Sequence, residues 1–539
     1  MSQSYTHGVP APSGGVNFSD DVFTINANQV YRAINYHLSE DGVLFSRKGS
    51  RSLNTTALDG PITSIYDYWR PAGSTSIRTV LVTANKKLYA YDEDSEVFNS
   101  IHELESADRP CWETFTIANG GSVAFMCNGT EFFYYDGNEI VPVTFVTDIS
   151  MPRTIIAYDD RMLASGCDND PFAVYQSDAY LGDTWEYTDN EVEMHYWQME
   201  SSGNRVVALG KIYSYGVILQ HNSVTILTGA DVEDTTTEQI TVSRKYGTTS
   251  QWSVQTVGNS IYFADETHIY RGVLRSAIEN GLEVIPIDKH ISRKYRGAQD
   301  VYDVVSAYDA VNEEIQWGIN CKVGSRKDTT LVYSVANSGE VENQWRDIWS
   351  GWFEGDAYEP YSLAQVLDSD RKPTIWRGDS DGYVYVMEES TQYQDDVPGT
   401  TAENIASEII TSAISPQGIS LDKILTDVTP LISQFYNGSV SAQWILDGSR
   451  ILPTSGVTYT LQNNIPFWND TSNTLTSTLW GSTVWTNNAY IIRPIRLHEP
   501  FRYVQFRFTC DGSNARDAVR YSGMELMYKP SRSSTYRQG

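Results

Sequence analysis

The sequence predicts an all-β chain: an irregular β-propeller of about seven blades with a C-terminal β-sandwich domain. Three observations carry that prediction. Short bursts of β-branched and aromatic residues, separated by turn formers, recur along most of the chain. Tyr (35), Trp (14) and Phe (17) are abundant while amphipathic patterns of helical length are scarce, as in sheets that use aromatic cross-strand pairs. The burst-and-turn units also recur at an irregular period of roughly 30 to 60 residues, near the range of propeller blades.

The clearest unit is RVVALGKIYSYGVILQHNSVTILTG, residues 205–229. Val206-Val207-Leu209, Val217-Ile218-Leu219 and Val224-Ile226-Leu227 are divided by Gly, Lys-Ile-Tyr-Ser-Tyr and His-Asn-Ser, the signature of consecutive antiparallel strands. The same form returns at 78–101, 121–146, 153–178, 253–274, 304–345 and 361–388. Several hairpins end in aromatic pairs, Tyr89/Tyr91, Tyr134/Tyr135 and Tyr383/Tyr385. Sequence neighbours on a strand face opposite sides, so rings such as Tyr134 and Tyr135 divide between core and surface, and Asp136-Gly137 supplies turn chemistry.

Four regions follow in order. Residues 1–60 form a Gly/Ser/Pro-rich arm and docking segment, expected to order against a neighbour. Residues 61–388 are the propeller, 389–408 an acidic, pattern-poor linker, and 409–539 the sandwich, marked by IIRPIRL, FRYVQFRFTC and YSGMELMYK. Longer acidic inserts interrupt the blades. Gly182 to Ser201 holds six carboxylates and no Lys or Arg, and such a loop is expected to project from a propeller face.

Net charge is −29, from 68 acidic and 39 basic residues, which argues against a conventional nucleic-acid binder with a basic footprint. It is compatible with a conduit whose walls do not grip phosphates, and equally with an acidic surface that only maintains solubility. The segment from Arg493 onward carries nine basic and four acidic residues, a net of +5 that leaves −34 on the remainder. Opposite signs suit docking onto an acidic neighbour, including another copy of the chain. Arg47, Lys48, Arg51, Arg493 and Arg496 are the basic docking candidates.

Sequence support for catalysis is thin. The five cysteines (Cys111, Cys127, Cys167, Cys321, Cys510) show no CxxC spacing and read as reduced core residues rather than a disulfide framework or zinc site. The eight histidines form no HxH or HExxH pattern, and Walker A, GxSxG and strand-borne GxGxxG signatures are absent. No signal peptide and no membrane span are expected, because no apolar run reaches about 18 residues.

Propellers also host glycosidases, in which paired carboxylates and stacking aromatics hold a sugar. Asp159-Asp160, Asp168-Asn169-Asp170, Asp379 to Asp381, Trp345, Trp349 and Trp352 could be cast in those roles, or read as turn residues and core aromatics. Arg377-Gly378-Asp379 reads as part of a hairpin turn, and Asp379-Ser380-Asp381-Gly382 lacks the further ligands of a calcium loop. Trp468, Trp480 and Trp485, with Trp444 upstream, form either a contact tip or a loop tied onto the sandwich.

Several short motifs resemble the tail hub or nozzle proteins of short-tailed bacteriophages, the group of tail tubular protein B and the packaged-DNA stabilisation proteins. They are Gly14-Gly15-Val16, the Gln29 to Asn35 segment, Asp41-Gly42-Val43-Leu44 leading to Arg47-Lys48-Gly49, Tyr215 to Leu219 with Ser223 to Ile226 and Thr228-Gly229-Ala230, Tyr246-Gly247-Thr248, Gly258 to Phe263, Tyr503 to Phe508, and Gly523 to Leu526. The match spans nearly the full length in order of parts.

The resemblance implies a structural virion protein of the podovirus tail, made in the bacterial host cytoplasm, with no catalytic residues, no metal and no cofactor. It implies a homo-oligomeric ring, usually a hexamer, below an adaptor or neck ring. That ring would retain packaged DNA and conduct it at ejection through transient, non-specific contact, and carry tail fibre, spike or needle proteins. By charge, the channel-facing candidates are Asp183, Glu186, Asp189, Glu191, Glu193, Asp231, Glu233 and Asp234. A glycan-binding or glycan-cleaving propeller is the other reading.

Overall fold

The computed structural model describes residues 4–72, 75–185, 196–229, 231, 237–274, 281–322, 326–341, 344–388, 394–434, 438–447, 457–461, 490–491, 495–510 and 519–530. From Ile62 to Val386 the chain runs as a succession of four-stranded antiparallel sheets. Blade 1 is Ile62–Ala72, Thr75–Ala84, Lys87–Asp92 and Val97–Glu103. Blade 2 is Cys111–Thr116, Ser122–Cys127, Phe132–Tyr135 and Ile140–Pro142. Blade 3 spans Thr154–Tyr158 to Tyr196–Gln198, blade 4 spans Val206–Ile212 to Gln239–Ser243, and blade 5 spans Gln255–Val257 to Leu282–Pro286. Blade 6 is Val305–Asp309, Glu314–Ile319, Thr329–Ser334 and Trp349–Glu354. Blade 7 takes three strands from Ser362–Leu367, Pro373–Gly378 and Val384–Val386, and its fourth from Arg51–Ser52.

The first strand of each blade is the inner one. Inner strands of neighbouring blades pack together, and Ser362–Leu367 of blade 7 returns to pack on Ile62–Ala72 of blade 1. The propeller core is therefore partitioned, one apolar cluster between each pair of blades. Tyr68 and Leu81 meet Met126 and Phe133 between blades 1 and 2; Phe125 and Phe132 meet Met162 and Tyr175 between 2 and 3; Leu219 and Ile226 meet Phe263 and Tyr270 between 4 and 5. Blade 7 closes onto blade 1 through Val366 and Trp376 against Val80 and Val82. No blade buries both faces alone, so the ring is stable only when closed.

The second body departs from the expected domain map. Residues 1–60 are not a separate arm awaiting a neighbour, for they supply strands to both bodies of the same chain. Tyr5–Val9 pairs with Val519–Pro530, Tyr36–Leu38 pairs with Leu44–Ser46, and the latter joins Val519–Pro530. Val30–Ile34 lies between Trp349–Glu354 of blade 6 and Ser407–Thr411. Blade 6 thereby continues into the sandwich as one nine-stranded sheet. Gly351 sits at this junction with φ +133°, and a Cβ there would lie 2.2 Å from the Ala33 carbonyl oxygen; only glycine fits. The second sheet of the sandwich centres on Lys423–Gln434 and Val519–Pro530. Between the sheets lie Leu425, Val428, Phe506, Phe508, Tyr521 and Leu526.

The 389–408 stretch is likewise more than a linker. Asp395 is buried and holds Arg47 bidentately, at 3.0 Å to Nη1 and 2.5 Å to Nη2. Ser407 already begins a sandwich strand.

Candidate functional site: the propeller faces and axis

Topology fixes which side chains share a propeller face. Each inner strand starts on one face, here the entry face, and ends on the other, the exit face. Antiparallel order then puts the turns after the first and third strands on the exit face, and the turns after the second and fourth on the entry face.

The exit-face turns carry exposed carboxylates on nearly every blade: Asp94 on blade 1, Glu139 on blade 2, Asp159 on blade 3, Glu238 on blade 4, Glu313 on blade 6 and Asp370 on blade 7. Among the described turns there, the exposed bases are Arg346, Arg371 and Lys372. The entry face is mixed. Lys86, Arg205, Arg244, Lys245, Lys289 and Arg326 stand there with Asp108, Asp168, Glu266 and Asp381, several in ion pairs such as Arg244–Glu200 at 2.7 Å and Arg326–Asp381 at 2.7 Å.

Both acidic inserts singled out by charge connect third to fourth strands, of blades 3 and 4, so both leave from the exit face. Asp183 accepts a hydrogen bond from the Ala118 amide at 3.2 Å, and Asp231 pairs with Arg161 at 2.8 Å. Asp231 is thus ion-paired, while Asp183 keeps its charge and accepts one amide hydrogen bond. Glu186, Asp189, Glu191, Glu193, Glu233 and Asp234 lie outside the described residues.

The basic docking candidates separate. Arg47 is 1% exposed, clamped by Asp395, donating from Nε to Asn35 Oδ1 at 3.1 Å, and stacked 4.8 Å from the Tyr358 ring. It is an internal rivet, not a docking residue. Its place in a basic run hid a partner carboxylate almost 350 residues away. Lys48 is half-buried, its amide donating to Glu388. Arg51 is more exposed and reaches Glu96 at 3.4 Å. Arg496 lies opposite Asp427 in the sandwich register, and Arg493 is outside the described residues.

Beside Arg47, His37 is fully buried. Its Nδ1 lies 2.6 Å from Glu314 and its Nε2 3.0 Å from Glu388, while Ser350 donates to Glu314 at 2.6 Å. Burial alone pulls the imidazole pKa down, but the two carboxylates outweigh it and hold His37 well above its ordinary value. The arm is thus fastened to blades 6 and 7 by charge as well as by strand pairing.

Inner-strand residues line a space on the propeller axis. A cavity of about 550 Å³ is lined by Tyr66, Trp112, Trp252, Gln255, Tyr308 and Gln365 among others, with Tyr66 and Trp112 stacked at 5.5 Å. On the entry side Arg109 donates to the Thr63 carbonyl at 2.5 Å and to Asp303 at 3.1 Å, and stacks on Trp252 and Tyr361. Lys327 also pairs with Asp303; burial first, then Arg109, pulls its pKa down to about 8. A second space of about 590 Å³ shares Val254 and Thr256 with the first and contains Glu113 and Lys211. Burial pushes the Glu113 carboxyl up to about 7.

The carboxylates cast as a glycosidase pair do not converge. Asp159-Asp160 turns on the exit face, whereas Asp168 and Asp170 lie in an entry-face loop, bonded to Arg153 and Tyr175. Asp379 caps its own hairpin through the amides of Asp381 and Tyr383. Arg377 is buried against Tyr385 at 4.1 Å, so this tripeptide is a hairpin element, as the sequence indicates. Trp349 and Trp352 are core residues, as is Trp444, while Trp468, Trp480 and Trp485 lie outside the described residues. Sequence reasoning missed the axial residues and His37. Inner strands such as Cys111–Thr116 carry mixed polar and aromatic residues, and only ring closure reveals a common lining.

No family model matches the chain, and no curated protein matches it. Among solved structures, it is similar to a chain of the mitotic checkpoint complex, at 12% identity and a TM-score of 0.37, covering 58% of this chain and 86% of that one. It is also similar to the extracellular domain of a protein described as a one-component system from B. thetaiotaomicron, at 7% identity and a TM-score of 0.39, covering 82% and 58%. A protein of unknown function from Desulfotomaculum acetoxidans DSM 771 matches at 13% identity and a TM-score of 0.31, covering 50% and 81%.

Proposed function

We propose that this chain is a structural virion protein that builds the tail nozzle ring of a short-tailed phage, retains packaged DNA, and conducts it during ejection. The observation that carries this reading is the one-sided charge of the propeller. Exposed carboxylates gather on the exit face, while the entry face is balanced. A surface that repels phosphate suits a wall past which DNA must slide, because each cationic contact would add a salt-dependent attraction. Screening over about 8 Å at physiological salt restricts the effect to carboxylates near the passing duplex.

The order of parts supports the same reading. The motifs that resemble the nozzle family, Tyr215 to Leu219 and Ser260 to Phe263, are buried strands of blades 4 and 5, scaffold rather than site. The axial cavity, about 550 Å³, is too small to pass a DNA duplex. In this reading the DNA path is therefore the lumen enclosed by several copies, with the exit face turned toward it. Adaptor-ring and fibre proteins would dock on the remaining surfaces.

Electron microscopy of the purified chain mixed with its adaptor ring tests the proposal. A closed ring with a central hole supports it, and a persistent monomer that does not bind the adaptor overturns it. A glycan-binding propeller is the second reading, favoured by the stacked Tyr66–Trp112 pair and the amides of Gln255 and Gln365 in the axial cavity. Retardation of the monomer on immobilised glycans, lost in W112A, would select it.

A further inference from the structure

Two of the five cysteines face each other. Cys111 opens the inner strand of blade 2, and Cys127 closes the adjacent strand directly opposite it in the antiparallel register. Opposed residues in such a pair have Cα atoms about 4.5 or 5.5 Å apart, and both separations lie within the range a disulfide spans. The two side chains lie on the same face of the sheet as a register pair, and the Cys111 thiol donates to the Ile155 carbonyl oxygen at 3.6 Å. Their environments differ. Cys127 is wholly buried, whereas Cys111 is half-buried and lines the axial cavity of about 550 Å³. Cys167 packs in the same apolar cluster but on blade 3, without a register partner among the cysteines.

We propose that Cys111 and Cys127 form a reversible thiol–disulfide site that takes low-molecular-weight disulfides through the axial cavity. The Cys111 thiolate attacks one sulfur of the small disulfide. The S–S bond breaks, a mixed disulfide forms on Cys111, and the first small thiol leaves. Cys127 then gives up its proton and attacks the Cys111 sulfur, which expels the second small thiol. The protein loses two hydrogens to the two departing thiols, and the electrons balance: two protein sulfurs are oxidised and one small disulfide is reduced. Cys111 is the attacking residue because it lines the cavity, whereas Cys127 is wholly buried behind it. The product would staple the first hairpin of blade 2 beside the axis.

Bis(2-hydroxyethyl) disulfide, neutral and therefore indifferent to the acidic surface, is the probe. The folded full chain is incubated with it, remaining thiols are alkylated, and the chain is cut after glutamate, which separates the two cysteines at Glu113. The expected result is a Cys111 peptide and a Cys127 peptide that stay joined, three alkylated thiols, and full reversal by dithiothreitol. C167S should give the same linkage. C127S should trap the mixed disulfide on Cys111. Absence of the 111–127 linkage in the folded wild-type chain, or Cys111 held only as a mixed disulfide, overturns the proposal. That outcome is independent of whether C127S folds and of whether the chain forms a ring.

Discussion

The propeller and the sandwich are both antiparallel β structures, yet they are assembled in opposite ways. Blades 1 to 5 are each contiguous in sequence, their strands joined by local turns, and every interblade core draws on neighbours in chain order. The sandwich is built from the two ends of the chain, Tyr5–Val9, Tyr36–Leu38 and Leu44–Ser46 from the first and Lys423 onward from the last. Where the bodies meet, at blades 6 and 7, the register is fixed by buried charge: Arg47 on Asp395, His37 between Glu314 and Glu388. A ring of local hairpins needs apolar patterning and closure. A body made from distant segments needs, in addition, specific partners to select the right strand order.

The largest effect should come from breaking that seam. R47A leaves Asp395 buried and unpaired, and is expected to cost about 3–5 kcal/mol, measured by urea denaturation. R47M combined with D395L should cost far less, because no charge is stranded. Deleting an exposed pair in the propeller, such as Arg244–Glu200, should leave stability nearly unchanged, because solvent screens both charges. Equal losses at the two places would erase the distinction between the bodies.

Next comes the glycine at the junction. G351A must displace the Ala33 carbonyl and adopt an unfavourable φ, a loss of about 1–3 kcal/mol. Limited proteolysis should then cut near residues 1–46 before it cuts within the blades.

Two titrations separate the seam from the axis. His37 has a folded pKa raised above its unfolded value, so its contribution is fully present below the unfolded pKa of 6.5 and is lost as pH rises through the folded one. Stability in wild type should therefore fall on the alkaline side, and H37Q should flatten that limb. Glu113, raised from 4.5 to about 7, is a carboxyl that the folded state keeps protonated. Stability should decline between those two pH values and then level off, and E113Q should remove the decline. Thermal melts across pH read both.

The smallest effect on folding should come from the exit face. Reversal of Asp94 and Asp370 to Lys should shift stability by no more than about 0.5 kcal/mol each. In an assembled particle, the same reversals should slow DNA release if the exit face lines the lumen. Normal ejection kinetics would count against that assignment.

Much of this architecture was legible in the amino-acid order. Alternating bursts such as Val217-Ile218-Leu219 and Val224-Ile226-Leu227 mark strands because a two-residue period and a tight turn are local properties, and they led to about seven blades. Among the described residues, six four-stranded sheets, with blade 6 inside the nine-stranded one, make seven. The sandwich strand Val504–Cys510 was equally plain, its burial alternating residue by residue. Arg51–Ser52 was not legible as the fourth strand of blade 7, since two polar residues carry no pattern and their pairing depends on a strand more than 300 residues later. Nor could Arg47 be told from a surface base, because charge in a sequence has no depth.

By itself, then, the sequence determined the all-β class, the hairpin rhythm and the acid excess, each a sum over neighbours or over the whole chain. The tertiary structure decided how the ring closes, which face collects the carboxylates, that both chain ends share one sandwich, and that Cys111 meets Cys127 beside the axis. Those features depend on which distant backbones pair. Local composition does not encode that choice; the combined burial of many faces, each incomplete alone, does.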